Sequence, residues 1–521
     1  MHENRETSPL AVNYGSPAGK GQCRNPSMNG GEESDGVVVP MSSSNKAEEK
    51  QTKAAEAEEG RTPTKENTNQ DRTLPAQNGK SESQGLAGVR RLARENKQVK
   101  FTTLLHHVNV DLLRQSFHHL KKEAAPGVDG VTWRQYEQGL EGRLADLHTR
   151  VQRGTYRAQP SRRIYIPKAG GKQRPIGIAA LEDKIVQQAV VAILNEIYEV
   201  DFQGFSYGFR PGRSQHDALD ALSAAILGKK VNFMVDADIR AFFDRVVHEW
   251  AMAFLQDRIA DKRILRLIRK WLTAGVSEEG EWSETKVGTP QGAVISPLLA
   301  NLYLHHVFDL WVKAWRKKVA TGEVIVVRYA DDLVAGFQHR VEAERFLKEF
   351  QDRLAKFGLE LNQDKTRLIE FGRFAEENRR RRGEGKPETF TFLGFTHRCG
   401  TNRNGKFTVV RTTAKKRLEA KLQAIKQMLR ARMHEPIRTT GEWLKGVMRG
   451  YYQYFAVPGN LSSLKKFRER ISRYWRRAIE RRSQKGRLSA ERAARLFDRW
   501  LPRPTVLHPY PDARFYAKHP R

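Results

Sequence analysis

Apolar residues along the chain recur with two different periods. Between 101 and 120, Leu104, Leu105, Val108, Leu112, Leu113 and Phe117 fall at helical spacing and predict one amphipathic helix. The same spacing returns over 181–200, 217–227, 298–311 and 341–357. Elsewhere the pattern shortens to strands. Residues 162–168 and 174–178 read as two short strands joined at Gly170-Gly171, a hairpin with a basic tip. Over 233–239 the residues alternate, so that Asp236 and Asp238 share one face while Val235, Ala237 and Ile239 share the other. The apolar runs 324–327 and 333–337 flank the polar tip Arg328-Tyr329-Ala330-Asp331-Asp332 and predict a second hairpin. Residues 376–386 read as a basic loop and 390–395 as a short strand. From 415 onward the chain is helical, with Leu418, Leu422, Ile425 and Leu429 on one stripe.

Composition adds a partner class. Lys and Arg number 92 against 60 Asp and Glu, a formal charge of +32, which points to a polyanion such as nucleic acid. The 521 residues exceed what one core holds, so several domains are expected. Residues 1 to about 85 are polar and poor in apolar residues, the composition of a disordered segment. A basic helical pattern begins near Val89. Cys23 and Cys399 are too few for a disulfide framework or a four-thiolate zinc site. No apolar run is long enough to span a bilayer, and no apolar signal core opens the chain.

Candidate chemistry then falls on a few stretches. Asp331 and Asp332 are adjacent like charges, costly unless a cation serves them, and on the hairpin itself only Arg328 is at hand. Asp236 and Asp238 end a strand that is otherwise apolar, an expensive place for a carboxylate that binds nothing. Lys168, Lys172 and Arg174 surround the first hairpin tip and suit a triphosphate or a nucleic-acid backbone. Residues 205–215 interleave rings, glycines and the cations Arg210 and Arg213, a mix suited to a nucleic-acid strand. Gly288-Thr289-Pro290-Gln291-Gly292 allows close backbone approach, and Gln291 offers both donor and acceptor. The rings of 450–455 and the cations Lys465, Lys466, Arg468, Arg470 and Arg473 favour structured RNA.

Taken in order, these pieces resemble the intron-encoded reverse transcriptase/maturases of mobile group II introns. The matching stretches are 127–130, 163–178, 205–215, 235–244, 288–297, 329–332, 358–366 and 392–395, within roughly 90–521. The tail Leu507-His508-Pro509-Tyr510-Pro511 is similar to bacterial members. The resemblance implies an α+β fold: a right-hand polymerase with fingers and an antiparallel palm sheet, followed by an α-helical thumb/maturase region. The domains would be 1–88, a disordered polar extension; 89–230, the N-terminal part of the polymerase and the fingers; 231–410, the palm; and 411–521, the RNA-binding thumb/maturase region and basic tail.

The same resemblance implies an RNA-directed DNA polymerase that binds its intron RNA and assists splicing and retromobility. Asp238, Asp331 and Asp332 would be catalytic and would hold two Mg²⁺ ions, or Mn²⁺, with Asp332 in a supporting place. Asp236 rivals Asp238 by strand phase, while the family's spacing of acid and aromatic selects Asp238 with Phe243. Phe243 would pack under the ribose and exclude a 2′-hydroxyl. Lys168, Lys172 and Arg174 would grip the triphosphate, Gln291 and Gly292 would line the nucleotide pocket, and Tyr329 would meet the primer terminus. Implied partners are group II intron RNA, an RNA template, a DNA primer, dNTPs and target DNA, with no membrane. The implied location is a bacterial cytoplasm, at the nucleoid. With no cysteine pair or histidine cluster after the thumb-like region, an HNH endonuclease domain is not expected. The competing readings are a splicing cofactor with an idle polymerase and a domesticated reverse transcriptase of a defence system; the intact acids argue for an active polymerase.

Overall fold

The computed structural model describes residues 80–167, 173–402, 404–482 and 487–519. Most of the polar extension expected over 1–88 therefore lies outside the described residues. Its last turns do not follow that expectation, because a helix runs over Lys80–Glu95. Val89 and Ala93 on that helix are buried, and once they anchor it the turns before them add at one hydrogen bond per residue.

Eleven strands occur among the described residues: β1 (Ser161–Pro167), β2 (Gln173–Ile178), β3 (Phe233–Asp238), β4 (Val276–Glu278), β5 (Glu281–Ser283), β6 (Val324–Tyr329), β7 (Asp332–Phe337), β8 (Arg367–Glu370), β9 (Phe390–Phe392), β10 (Phe395–Thr401) and β11 (Phe407–Thr413). They form three sheets, ordered β2-β1-β4-β5, β6-β7-β3-β8 and β11-β10-β9. With helices before, between and after them, the class is α+β, as expected. Both expected hairpins form, β1 with β2 and β6 with β7, each antiparallel.

The sheet β6-β7-β3-β8 is antiparallel throughout. Strand alternation divides its residues between two faces. Val326, Val327's neighbour Arg328, Leu333, Ala335 and Phe337 are all buried, and the Phe337 ring meets Trp315 and Phe346 from the helices Leu310–Lys318 and Arg340–Ala355. On the opposite face Met234, Ile325, Val327, Val334 and Ile369 join one core with Leu219 and Leu222 of the helix Gln215–Gly228. That core continues through Phe390 and Phe395 into Leu422, Leu444, Phe467 and Trp475 of the C-terminal helices. Asp236, Asp238, Tyr329 and Asp332 share this second face by phase, where it runs out at the strand ends.

Three local expectations change. The single helix expected over 101–120 is a short 3-10 turn, Leu105–His107, and a helix, Val110–His119. Asn109 breaks it by capping Leu112 N at 2.8 Å, while the buried Asp261 carboxylate accepts from Leu104 N at 2.7 Å and Leu105 N at 3.0 Å. Both ends of the break are thus satisfied. The basic loop expected over 376–386 contains a helix, Ala375–Arg381, with acids in its first turn and Arg379, Arg380 and Arg381 in its last, matching the helix dipole. The helix expected over 298–311 widens from Ser296–Leu304 into a π turn, His305–Asp309, before continuing as Leu310–Lys318.

Candidate active site

The tip of the β6–β7 hairpin is a two-residue turn, Ala330-Asp331, with Tyr329 facing Asp332. Ala330 has a φ of +55°, a left-handed conformation that residues with a Cβ rarely take. Two contacts hold it. Arg328 Nη1 donates to the Ala330 carbonyl at 3.0 Å. Gly208 lies against the turn, where a Cβ would stand 2.9 Å from the Tyr329 carbonyl carbon and closer still to the Ala330 nitrogen. Glycine is the residue that permits this approach.

Arg328 does not serve the two acids beside it, contrary to the reading of the hairpin alone. Alternation sends its side chain to the face opposite Tyr329 and Asp332. There it is fully buried, and all its donors are used: Nε and Nη2 on Asp309 at 2.8 and 2.6 Å, Nη2 on Ser206 Oγ at 2.7 Å, Nη1 on Asn301 Oδ1 at 3.1 Å and on Ala330 O. Asn301 in turn donates to the Gly208 carbonyl at 2.7 Å. Arg328, with Asp309 and Asn301, is therefore the anchor that fixes the turn from behind.

The acids meet on the other side. Asp238, at the end of β3, is the register partner of Asp332 at the start of β7. Asp236 pairs with Val334, roughly 7 Å back along the strand. Burial raises the Asp331 carboxyl above its ordinary value, and the Asp238 carboxylate raises it further. Burial and the carboxylates of Asp331, Asp238 and Asp236 push Asp332 up to about 7. Asp332 keeps solvent-accessible surface although protein surrounds it closely. Asp236 is pushed up to about 6, mainly by burial, although Arg367 Nη2 donates to it at 3.3 Å. Asp238 Oδ2 accepts from Lys365 Nζ at 2.9 Å and from Asn362 Nδ2 at 3.0 Å.

Carboxylate oxygens placed this near one another are chemically suited to a hard divalent cation. As the side chains stand, no three His, Cys, Asp or Glu among the described residues are gathered to ligate one ion, and Asp238 is turned to Lys365 and Asn362. Those two residues were not singled out from the sequence; the stretch 358–366 matched the family pattern but carried no assigned role.

The other predicted residues divide. Lys168 and Lys172 lie outside the described residues. Arg174 is half-buried on β2, and its charge acts to lower both Asp331 and Asp244. Gln291 and Gly292 reach the same neighbourhood: the Gln291 carbonyl accepts from Gly177 N at 2.7 Å, and its Nε2 stands 3.5 Å from Asp244 Oδ1. Gly292 has a φ of +108°, and a Cβ there would sit 2.9 Å from the Gly177 carbonyl oxygen. Phe243 is buried, its ring edge-on to Phe209 and its carbonyl accepting from Thr289 N at 2.8 Å. Tyr329 is half-buried, with its hydroxyl on Gln215.

Arg210 and Arg213, expected to face RNA, are internal. Arg210 is buried, forked onto Glu199 at 3.0–3.2 Å and donating to the carbonyls of Gln203 and Ser206. Arg213 donates to the Gly204 and Ser206 carbonyls and stacks over Tyr207. The curled loop turns its carbonyls inward, and the guanidinium groups satisfy them.

The rings of 450–455 are also largely internal: Tyr451, Tyr452 and Phe455 are buried, and Tyr451 stacks on Phe467 at 3.8 Å. The cations of the helix Leu461–Glu480 remain at the surface. Lys465 and Lys466 are exposed. Lys465, Arg468 and Arg473 lie along one face and, with Phe497 and Arg503, line a cleft of about 500 Å³. Arg470 points the other way, paired with Glu419 and donating to Tyr474 Oη at 3.0 Å. No helix among the described residues is long and apolar enough to cross a membrane.

Residues 166–397, which include all four acids, match the family described as reverse transcriptase (RNA-dependent DNA polymerase). Protein YkfC of Escherichia coli is 35% identical over 277 residues, covering 47% of this chain and 72% of that protein. Group II intron-encoded protein LtrA of Lactococcus lactis is 30% identical over 305 residues, covering 56% of this chain and 50% of that protein. The chain thus spans half the length of that second relative. Nuclear intron maturase 2, mitochondrial, of Arabidopsis thaliana is 31% identical over 109 residues, 20% of this chain and 15% of that protein. With Asp238 and Asp332 in register at the end of one antiparallel sheet, these likenesses place the chain in the reverse transcriptase family, among the group II intron-encoded reverse transcriptases/maturases.

Proposed function

We propose that this chain is an RNA-directed DNA polymerase that also binds group II intron RNA and assists its splicing and mobility. The observation that carries the polymerase reading is the register pairing of Asp238 with Asp332, beside Asp331 at the hairpin tip. In this reading the sheet β2-β1-β4-β5 belongs to the fingers, the sheet β6-β7-β3-β8 is the palm, and the helices after Lys415 are the thumb/maturase region.

Asp238, Asp331 and Asp332 would hold divalent cations, which when bound lower the pKa of a primer 3′-hydroxyl and offset the charge of the triphosphate and leaving pyrophosphate. The chain's own residues do the rest. Arg174, whose field already reaches Asp331, holds the triphosphate. Gln291 and Gly292 bring backbone and amide to the nucleotide. Phe243 packs under the sugar and selects dNTPs by excluding a 2′-hydroxyl. Tyr329, held by Gln215, supports the primer end. The RNA surface is the exposed face of Leu461–Glu480, with Lys465, Lys466, Arg468 and Arg473. Ion pairs there, such as Arg468–Asp498 at 3.0 Å and Arg473–Glu469 at 3.0 Å, are exposed and worth at most about 1 kcal/mol, so a phosphate backbone can compete for the guanidinium groups.

Asp331→Asn removes one charge from the acid cluster with little change in shape. Extension of a DNA primer on an RNA template should fall by about a thousandfold or more, on the scale of electrostatic groups at a reacting centre. RNA binding measured in parallel should stay within about twofold of the parent. Extension at the parental rate would remove the polymerase reading.

A further inference from the structure

Asp238 has a cationic partner supplied by the chain itself. The Lys365 ammonium stands 2.9 Å from Asp238 Oδ2, and Asn362 Nδ2 shares the same oxygen at 3.0 Å. Both come from a turn tied to the end of β3. Asn362 N donates to the Asp238 carbonyl at 2.8 Å, Thr366 N to the Asn362 carbonyl at 2.8 Å, and Leu361 bridges to Ile239. The base of the turn is thus held by backbone bonds. Lys365 reaches the acid on a flexible four-carbon stem, and its side chain is 58% exposed.

The neighbouring acid on the same strand differs. Asp236 is served by Arg367, whose backbone is its register partner on β8 and whose guanidinium stays with the sheet. Asp238 is the acid nearest the hairpin tip, where Asp331 and Asp332 repel it and each other. A divalent ion on Asp238 would claim the oxygen that Lys365 now holds. It would also put a double positive charge within a few ångströms of the ammonium, a repulsion that solvent screens only in part. Ion and ammonium therefore compete for the Asp238 carboxylate.

We propose that Lys365 is a built-in counter-ion that holds Asp238 while the acids carry no divalent cation and leaves it when one binds. The inference rests on the metal-binding reading of these acids. It makes Lys365 and Asn362 positioning residues that keep Asp238 oriented in the free protein and couple ion entry to release of a lysine side chain.

The test uses the full chain with its lysines reductively methylated with ¹³C, which preserves their charge, followed by NMR during Mg²⁺ titration. Lys365→Arg, which keeps a cation, assigns the Lys365 signal by its loss. The expected result is a Lys365 signal that moves with the same midpoint as Mg²⁺ binding measured by calorimetry. Lys365→Met should bind Mg²⁺ about two- to fivefold more tightly, the range set by losing one exposed ion pair. Asp331→Asn should lose both the binding and the signal change. Mg²⁺ binding that depends on Asp331 but leaves the Lys365 signal and the Lys365→Met affinity unchanged would overturn the inference and leave the metal site standing. Absence of Asp331-dependent Mg²⁺ binding would overturn the metal site and the inference together.

Discussion

Asp332 is a residue whose surroundings oppose its own charge. Its ordinary value of 3.8 is raised to about 7 by burial and three neighbouring carboxylates. The folded protein therefore takes up this proton before the unfolded chain does as pH falls. The resulting penalty is fully present above pH 7, shrinks as pH drops, and is gone below about 3.8. Asp332→Asn should stabilise the metal-free protein at pH 8 by about 1 kcal/mol, the shift being discounted for the solvent that still reaches this side chain. The gain should vanish near pH 4. Urea titrations in chelator at the two pH values measure it, and an equal effect at both would mean that Asp332 is not raised in the folded protein. Asp331 and Asp332 were recognisable from the chain because adjacent acids at a hairpin tip are a local pattern. The role of Arg328 was not, because Asp309 and Ser206 come from elsewhere.

Two elements carry the proposed activities, and each yields its own expectation. The β6–β7 turn depends on backbone packing at Gly208. Gly208→Ala must push the Ala330 peptide aside, since the atoms that a Cβ would meet are backbone. The strain should cost about 1–3 kcal/mol in denaturant unfolding. Displaced acids should also lower primer extension by more than tenfold, which separates this change from ordinary destabilisation assayed well below the melting point. The helix Leu461–Glu480 offers cations on one exposed face. Replacing Lys465 and Lys466 with Gln should weaken binding to structured RNA and make its dependence on salt shallower by about one to two in logarithmic slope. The same exchange at Arg470 should change the slope little, because that side chain is committed to Glu419 and Tyr474. Binding titrations at several salt concentrations decide between them. A helical, basic character from 415 onward was expected from the chain; which cations of this helix point outward followed only from packing against Lys415–Ala431 and the 497–504 segment.

Across the whole molecule, the C-terminal segment ties distant parts together. Asp220, on Gln215–Gly228, is buried and accepts from Arg411 on β11 at 3.0 Å and from Arg514 on the final helix, Pro511–Lys518. Arg514 also meets His508 Nδ1 at 2.9 Å, His508 Nε2 pairs with the Gln453 carbonyl at 2.7 Å, and Lys518 reaches Asp217 at 2.7 Å. The His508 ring stacks on His216 at 4.1 Å. Asp220→Asn would leave two guanidinium groups, one of them fully buried, without their counter-charge. It should cost about 3 kcal/mol or more of stability. Amide exchange in Pro511–Lys518 should speed up with it, as measured by mass spectrometry; unchanged exchange would show that the segment is held by its other contacts. None of this cluster was legible beforehand, since Asp220 and Arg514 are separated by 294 residues.

Properties that depend on near neighbours could be read from the chain. Alternation produced both hairpins and the common face of Asp236 and Asp238; helical spacing produced the long helices; the excess of cations pointed to a polyanion. These follow from backbone geometry and composition, which act within a few residues. Pairings across long loops were decided by the fold. It set Asp238 opposite Asp332, gave Asp238 the Lys365 ammonium from 127 residues away, turned Arg210 and Arg213 inward onto carbonyls, and spent Arg328 on Asp309. A charged side chain becomes a ligand, a surface contact or an internal brace according to which opposite charge or carbonyl arrives beside it. That arrival is a tertiary event, and local periodicity holds no record of it.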